Sequence, residues 1–209
     1  MATRILLVRH GQTVGNREGK FYGHAETPLT AAGVEQARSV GRRLAREQID
    51  VAYASDLSRA LDTARYAVDG RDLDVLTDPR LREMHYGEWE ELDGRVIFNG
   101  SRDTWQAFLR GDVPAPGGED VTAVRWRTAA ALREYAERHG DRAVLVVSHG
   151  NAIMAMVAEL LGIPTASSWS FVVDNASITR VDIGRGGRAT LVTFNERSHL
   201  EGVPGVTSA

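Results

Sequence analysis

RILLVRHGQT, residues 4–13, and AVLVVSHGNAI, residues 143–153, decide the fold. Each opens on a short aliphatic run and stops at a His-Gly pair, the pattern of a buried strand whose polar loop begins at its carboxyl end. In an open α/β sheet the crevice beyond such strand ends is the usual ligand site, so His10 and His149 can face each other across one pocket. Either histidine alone reads as a turn or a satisfied core residue; the repetition is the signal. Gly11 and Gly150 are read here as letting backbone N–H groups approach a ligand closely.

Outward from these runs, strands alternate with helices. Thr30 can cap a helix whose small and apolar positions Val34, Ala37, Val40, Leu44 and Ala45 recur at helical spacing. Strands are expected at Val51 to Ala54 and Asp74 to Leu76, with a helix between them capped by Asp56 and striped by Leu57, Ala60, Leu61, Ala64 and Val68. Residues 84–118 read as a loop-rich insertion around one helix near Asp103 to Leu109, punctuated by glycine and proline. A long helix from Glu119 to His139, a helix reaching Leu161, and a hairpin turning at Gly184 to Gly187 complete the chain. Alternation of this kind predicts an α/β fold, a three-layer α/β/α sandwich with a mostly parallel central sheet. At 209 residues the expectation is one domain over 1–209.

Composition excludes several classes. A net charge of −3 argues against nucleic-acid binding through bulk basicity. The apolar run Ala152 to Leu161 is broken by Glu159 and is too short to span a bilayer, and MATRILLV lacks the features of a secretory signal, so a cytoplasmic protein with no membrane partner is expected. With no cysteine, thiolate chemistry is ruled out. Trp89, Trp105, Trp126 and Trp169 are read as core or pocket walls, since no basic run accompanies them. His139, before Gly140, fits a cation at a helix C-terminus, while His24, His85 and His199 are not assigned. A P-loop or dinucleotide site is disfavoured because neither GxxxxGK[ST] nor GxGxxG occurs.

Four ordered blocks, RHGQTxxN at Arg9 to Asn16, SDLSRALDTA at 55–64, LREMHYGEWE at 81–90 and SHGNAI at 148–153, resemble the histidine phosphatase superfamily, with its phosphoglycerate mutase-like fold. The resemblance implies that His10 is the nucleophile, that Arg9, Arg59 and His149 bind the phosphoryl group, and that Glu83 donates a proton. Asn16, Tyr22, Gly23 and Asn151 match further substrate-side positions. The implied substrate is a small phosphorylated metabolite, and no cofactor or metal is implied; a homodimer is compatible with the sequence, which does not fix the oligomeric state. YGHAETPLTAAGVEQA at 22–37 and WSFVVDNASITRVDI at 169–183 resemble the broad-specificity and α-ribazole phosphate phosphatases. Where many relatives read GxWEG, this chain carries Glu91 after Glu90.

The chemistry needs these residue types. A phosphoryl group in transit spreads charge over three equatorial oxygens, which fixed donors must stabilise. Guanidinium forks do so bidentately and stay charged. A nucleophilic imidazole must be neutral, which nearby arginines favour, and a backbone carbonyl on its other ring N–H would fix the tautomer. A carboxyl group beside a phosphate dianion retains a proton for the leaving oxygen. Other readings stay open: a phosphoglycerate mutase shares this site, though the mutases resemble a longer chain with a characteristic insertion after the acid that GEWEELDG does not match; a metal-dependent hydrolase would lack HxxxH-type ligand spacing here; and a non-catalytic phosphate-binding module should have lost nucleophile or acid.

Overall fold

Successive side chains of a strand point to opposite faces of its sheet, and here both faces are covered. In the computed structural model, which describes residues 2–167 and 170–205, β1 (Ala2–Arg9) sends Ile5 and Leu7 into one core and Leu6 and Val8 into the other. β4 (Ala143–Ser148) divides in the same way, Val144 and Val146 against Leu145 and Val147. All eight side chains are essentially buried. Each is worth roughly 1.5–3 kcal/mol of burial, so Leu7→Ala should cost about 2–5 kcal/mol.

β2 (Val51–Ala54) and β3 (Val75–Thr77) complete a parallel half, and β5 (Ile178–Gly184) and β6 (Ala189–Glu196) add an antiparallel hairpin, in the order β3-β2-β4-β1-β5-β6. α2 (Ala31–Leu44) and α3 (Ser58–Ala67) cover one face. α6 (Val121–His139) and α7 (Gly150–Leu160) cover the other, which gives the expected three layers. No helix among the described residues is long and apolar enough to cross a membrane. One register decides the site: Arg9 pairs with Ser148 at the parallel ends of β1 and β4, so His10 and His149 emerge side by side.

Several expectations change. Asp56 does not cap α3: its carboxylate takes a bidentate ion pair from Arg82, at 2.7 and 2.5 Å, and the free Ser58 N–H instead reaches Glu26 from a distant loop. The insertion holds two helices, α4 (Gly94–Gly100) and α5 (Arg102–Arg110), the first capped by Asp93. Glycine at both ends of GRVIFNG reads as punctuation, which hid α4. A five-residue helix α1 (Val14–Glu18), closed by a Thr13/Asn16 capping box, is too short to show a period. Met84, Tyr86, Trp89, Ile97 and Phe108 form a third apolar cluster with Val121 and Val124 of α6, and Trp105 packs against it.

Trp126 departs from the expected core or wall position: it is 69 % exposed on the outer face of α6. Trp169 lies outside the described residues. His139 closes the last turn of α6. Burial lowers its pKa, and its Nε2 is hydrogen-bonded to the Tyr53 hydroxyl at 2.9 Å. Glu91 adopts the left-handed region, φ 65°, with its N–H on the Phe21 carbonyl at 2.6 Å, a conformation that glycine holds at lower cost.

Candidate active site

Beyond the ends of β1 and β4 lies a cavity of about 230 Å³, whose wall includes Arg9, His10, Arg59, Glu83 and Tyr86. His10 is 4 % exposed, and its Nδ1 sits 2.7 Å from the Gly11 carbonyl. A carbonyl only accepts, so Nδ1 carries the proton and Nε2 keeps its lone pair. Burial, then Arg59, then Arg9 hold His10 well below the ordinary imidazole value. The ring is therefore neutral at physiological pH.

The second histidine is arranged the opposite way. His149 is fully buried, its ring 5.1 Å from that of His10 and turned edge-on. Arg59 Nε donates to its Nδ1 at 3.2 Å, which leaves the proton on Nε2. Burial and Arg59 keep this ring neutral as well. His149 Nε2–H and Arg9 Nε–H have no hydrogen-bond partner although both are buried. Buried donors are normally paired, so these two N–H groups are free to pair with an anion; Arg9 is on the cavity wall with His10, whereas His149 is not among the lining residues.

Arg59 comes from the first turn of α3 and is 1 % exposed. Beyond His149 it donates to the carbonyls of Tyr22 at 3.2 Å, Gly23 at 2.7 Å and Ala25 at 3.0 Å. Glu90 grips the same loop from the other side through the N–H groups of His24 at 2.8 Å and Ala25 at 2.7 Å. Arg9 is fixed by one bond, Nη1 to the Val173 carbonyl at 2.6 Å. Gly150 matters here for room: a Cβ on it would stand 3.3 Å from Arg9 Nε. Gly11 is glycine for a different reason from the one read in the sequence. A Cβ there would lie 2.3 Å from the Gly33 carbonyl of α2, so it serves backbone packing.

Glu83 is 8 % exposed at the N-terminus of α7. Its Oε1 accepts the N–H groups of Met84 at 2.9 Å and Ala152 at 3.0 Å, and its Oε2 that of Asn151 at 3.2 Å. The carboxylate caps a helix whose own N-cap, His149, makes no side-chain capping bond. Three of about four lone-pair sites are taken, and the one left is on Oε2.

Of the sequence candidates, Asn16, Tyr22 and Asn151 line the cavity. Asn16 Oδ1 is held by Asn175 at 3.0 Å, and the Asn151 amide by the Tyr86 hydroxyl. Gly23 is not on the wall; its carbonyl serves Arg59, and a Cβ would meet Glu90 and Met84 at 2.4 Å. Sequence reasoning missed Tyr86, whose phenol is kept protonated by burial and by Glu83. It also missed Thr63, which accepts the Gly11 N–H at 3.1 Å, and Asn175, which donates to the His10 carbonyl at 3.1 Å. Tyr86, Thr63 and Asn175 stand inside stretches already singled out, so the only available signal was polarity next to the histidine loops. Of the unassigned histidines, His24 Nε2 meets the Glu83 carbonyl at 3.0 Å with the His85 ring edge-on at 5.0 Å, and His199 Nε2 meets the Ala176 carbonyl at 3.0 Å. Among the described residues no group of three or more His, Cys, Asp or Glu could hold a metal ion.

The chain belongs to the histidine phosphatase superfamily (branch 1), whose profile matches residues 5–197. It is a phosphatase. The adenosylcobalamin/alpha-ribazole phosphatase of Escherichia coli (strain K12) is 34 % identical over 198 residues, covering 93 % of this chain and 97 % of that one. The crystal structure of the alpha-ribazole phosphatase from Shigella flexneri superposes with a TM-score of 0.83 at 34 % identity, over 93 % of this chain and 96 % of that one. A probable phosphoglycerate mutase from Enterobacter sp. (strain 638) is 34 % identical over 86 % of this chain and 84 % of its own.

Proposed function

We propose that the chain hydrolyses small phosphomonoesters through a phosphohistidine on His10. The observation that carries this reading is the unpaired pair of buried donors, Arg9 Nε–H and His149 Nε2–H, beside the bare Nε2 of a neutral His10. The equatorial phosphoryl oxygens take these donors together with the Arg59 guanidinium, and the site needs no reorganisation at the moment of transfer.

His10 Nε2 attacks phosphorus in line, the bond from phosphorus to the ester oxygen breaks, and that oxygen leaves with the proton from Glu83 Oε2. The Glu83 carboxylate then takes a proton from water as the water oxygen attacks phosphorus. The phosphorus–nitrogen bond breaks, its electrons return to Nε2, and inorganic phosphate is released. Arg9, Arg59 and His149 meet the phosphoryl charge, so the reaction calls for no metal. The names of the relatives make α-ribazole 5′-phosphate the first substrate to try, in a cytoplasmic protein.

Rapid quench with labelled substrate tests the reading. An acid-labile, base-stable phosphoenzyme should form in the wild type and not in His10→Ala, and turnover should survive exhaustive EDTA treatment. Full activity of His10→Ala, or activity lost to EDTA and restored by zinc or magnesium, overturns it.

A further inference from the structure

The Nδ1–H of His10 ends on the Gly11 carbonyl, and that carbonyl belongs to the peptide unit joining Gly11 to Gln12. At the other end of the same peptide, the Gln12 N–H donates to Oε1 of Gln36 at 2.8 Å. Gln36 stands one turn beyond Gly33 on α2 and is 1 % exposed. Its Nε2 donates to the Pro204 carbonyl at 3.4 Å, which orients the amide with its oxygen toward Gln12.

The geometry points to Gln36 as a positioning residue that holds the His10 tautomer through the Gly11–Gln12 peptide, an inference that rests on His10 being the nucleophile. Hydrogen bonds in series polarise one another, so an acceptor on the amide N–H makes its carbonyl a better acceptor. The chain His10 Nδ1–H, Gly11 carbonyl, Gln12 N–H, Gln36 Oε1 is one such series. It keeps the proton on Nδ1 and the lone pair on Nε2.

The chain around that peptide is also closely packed: a Cβ on Gly33 would stand 3.0 Å from the Gln12 nitrogen, and the next peptide, joining Gln12 to Thr13, is held in turn. Thr30 N–H donates to the Gln12 carbonyl at 2.9 Å, and a Cβ on Gly33 would come within 2.0 Å of that carbonyl oxygen. Two elements remote in sequence, the first strand and α2, thus share one job at the nucleophile. Packing alone would be met by a leucine of similar size; orienting the proton would not.

The test uses the full chain labelled with nitrogen-15 in histidine, together with single-turnover phosphorylation. In Gln36→Leu, an Nε2–H resonance should appear for His10 and phosphoenzyme formation should slow about tenfold with KM changed less than about twofold, as expected for loss of one buried hydrogen bond felt in the transition state. Gln36→Glu keeps an acceptor and strengthens it, so the His10 Nδ1 proton should move to lower field, and this variant decides the matter if Gln36→Leu does not fold. A wild-type ring spectrum and rate in Gln36→Leu, or an unmoved Nδ1 proton in Gln36→Glu, overturns the inference. If the wild type forms no phosphohistidine, the catalytic reading fails by itself, because the ring spectrum reports on Gln36 without turnover.

Discussion

Arg59 Nε donates to His149 Nδ1 at 3.2 Å, and this bond decides which nitrogen of the second histidine carries its proton. His10 has its proton on Nδ1 by way of the Gly11 carbonyl, so the two neighbouring rings hold opposite tautomers: one presents a lone pair, the other an N–H. In the proposed mechanism these become a nucleophile and an anion donor, made from the same side chain by what stands behind each.

Lysine cannot take over from Arg59. A single ammonium cannot hold the His149 ring, the carbonyls of Tyr22, Gly23 and Ala25, and a phosphoryl oxygen in one plane. Steady-state kinetics of Arg59→Lys should show kcat/KM lower by about 10²–10³. A loss under about threefold would mean that charge alone suffices.

Glu83→Gln should separate substrates by their leaving groups. Without a proton to give, alkyl phosphates should lose about 10²-fold in kcat and p-nitrophenyl phosphate much less, since nitrophenolate leaves unaided. The same change weakens the cap of α7 and should cost about 1 kcal/mol in denaturant unfolding. Equal kinetic losses for both substrates would assign Glu83 to the cap alone.

Stability should fall on acidification. His10 and His149 are held well below 6.5 in the folded chain, so below that pH the unfolded chain binds protons that the folded chain refuses. Stability from this source is complete above the unfolded value and is lost as pH drops from about 6.5 toward the folded values, by at most about 1.4 kcal/mol per pH unit for each ring. Urea unfolding at pH 7.5, 6 and 5 should give a shallower fall for His10→Asn than for the wild type; identical slopes would contradict the shifted His10.

Product analysis separates hydrolysis from isomerisation. A mutase must shield its phosphohistidine from water while the phosphoglycerate turns over, whereas a phosphatase must admit water. With 3-phosphoglycerate, inorganic phosphate should appear without 2-phosphoglycerate, and 2,3-bisphosphoglycerate should not stimulate it. Faster formation of 2-phosphoglycerate than of phosphate would replace the hydrolytic reading.

Local pattern was enough for the elements that carry the histidines. RILLVRHG and AVLVVSHG show their strands because a strand buried on both faces must be continuously apolar, and they show their loops because a polar run cannot continue into the core. Thr30 capped as read, since its hydroxyl needs only the next turn of its own helix. Asp56 did not, because Arg82, twenty-six residues away, competes for its carboxylate. The helix at Gly94–Gly100 was hidden for a related reason: its burial comes from Tyr86, Trp89 and Phe108 rather than from a period of its own.

Residue pattern along the chain was enough for the layered α/β fold and for His10 and His149, while Arg9, Arg59 and Glu83 became candidates through the four ordered blocks that resemble the histidine phosphatases. What each of their atoms faces came from the packing of remote segments. Pairing of Arg9 with Ser148 puts the histidines side by side; Arg59 and the Gly11 carbonyl set their tautomers; and Gln36, Thr63 and Asn175 come to the His10 loop from two helices and the turn before β5. A ring proton is placed by whichever acceptor stands within about 3 Å, and that distance is fixed by packing between segments remote in sequence.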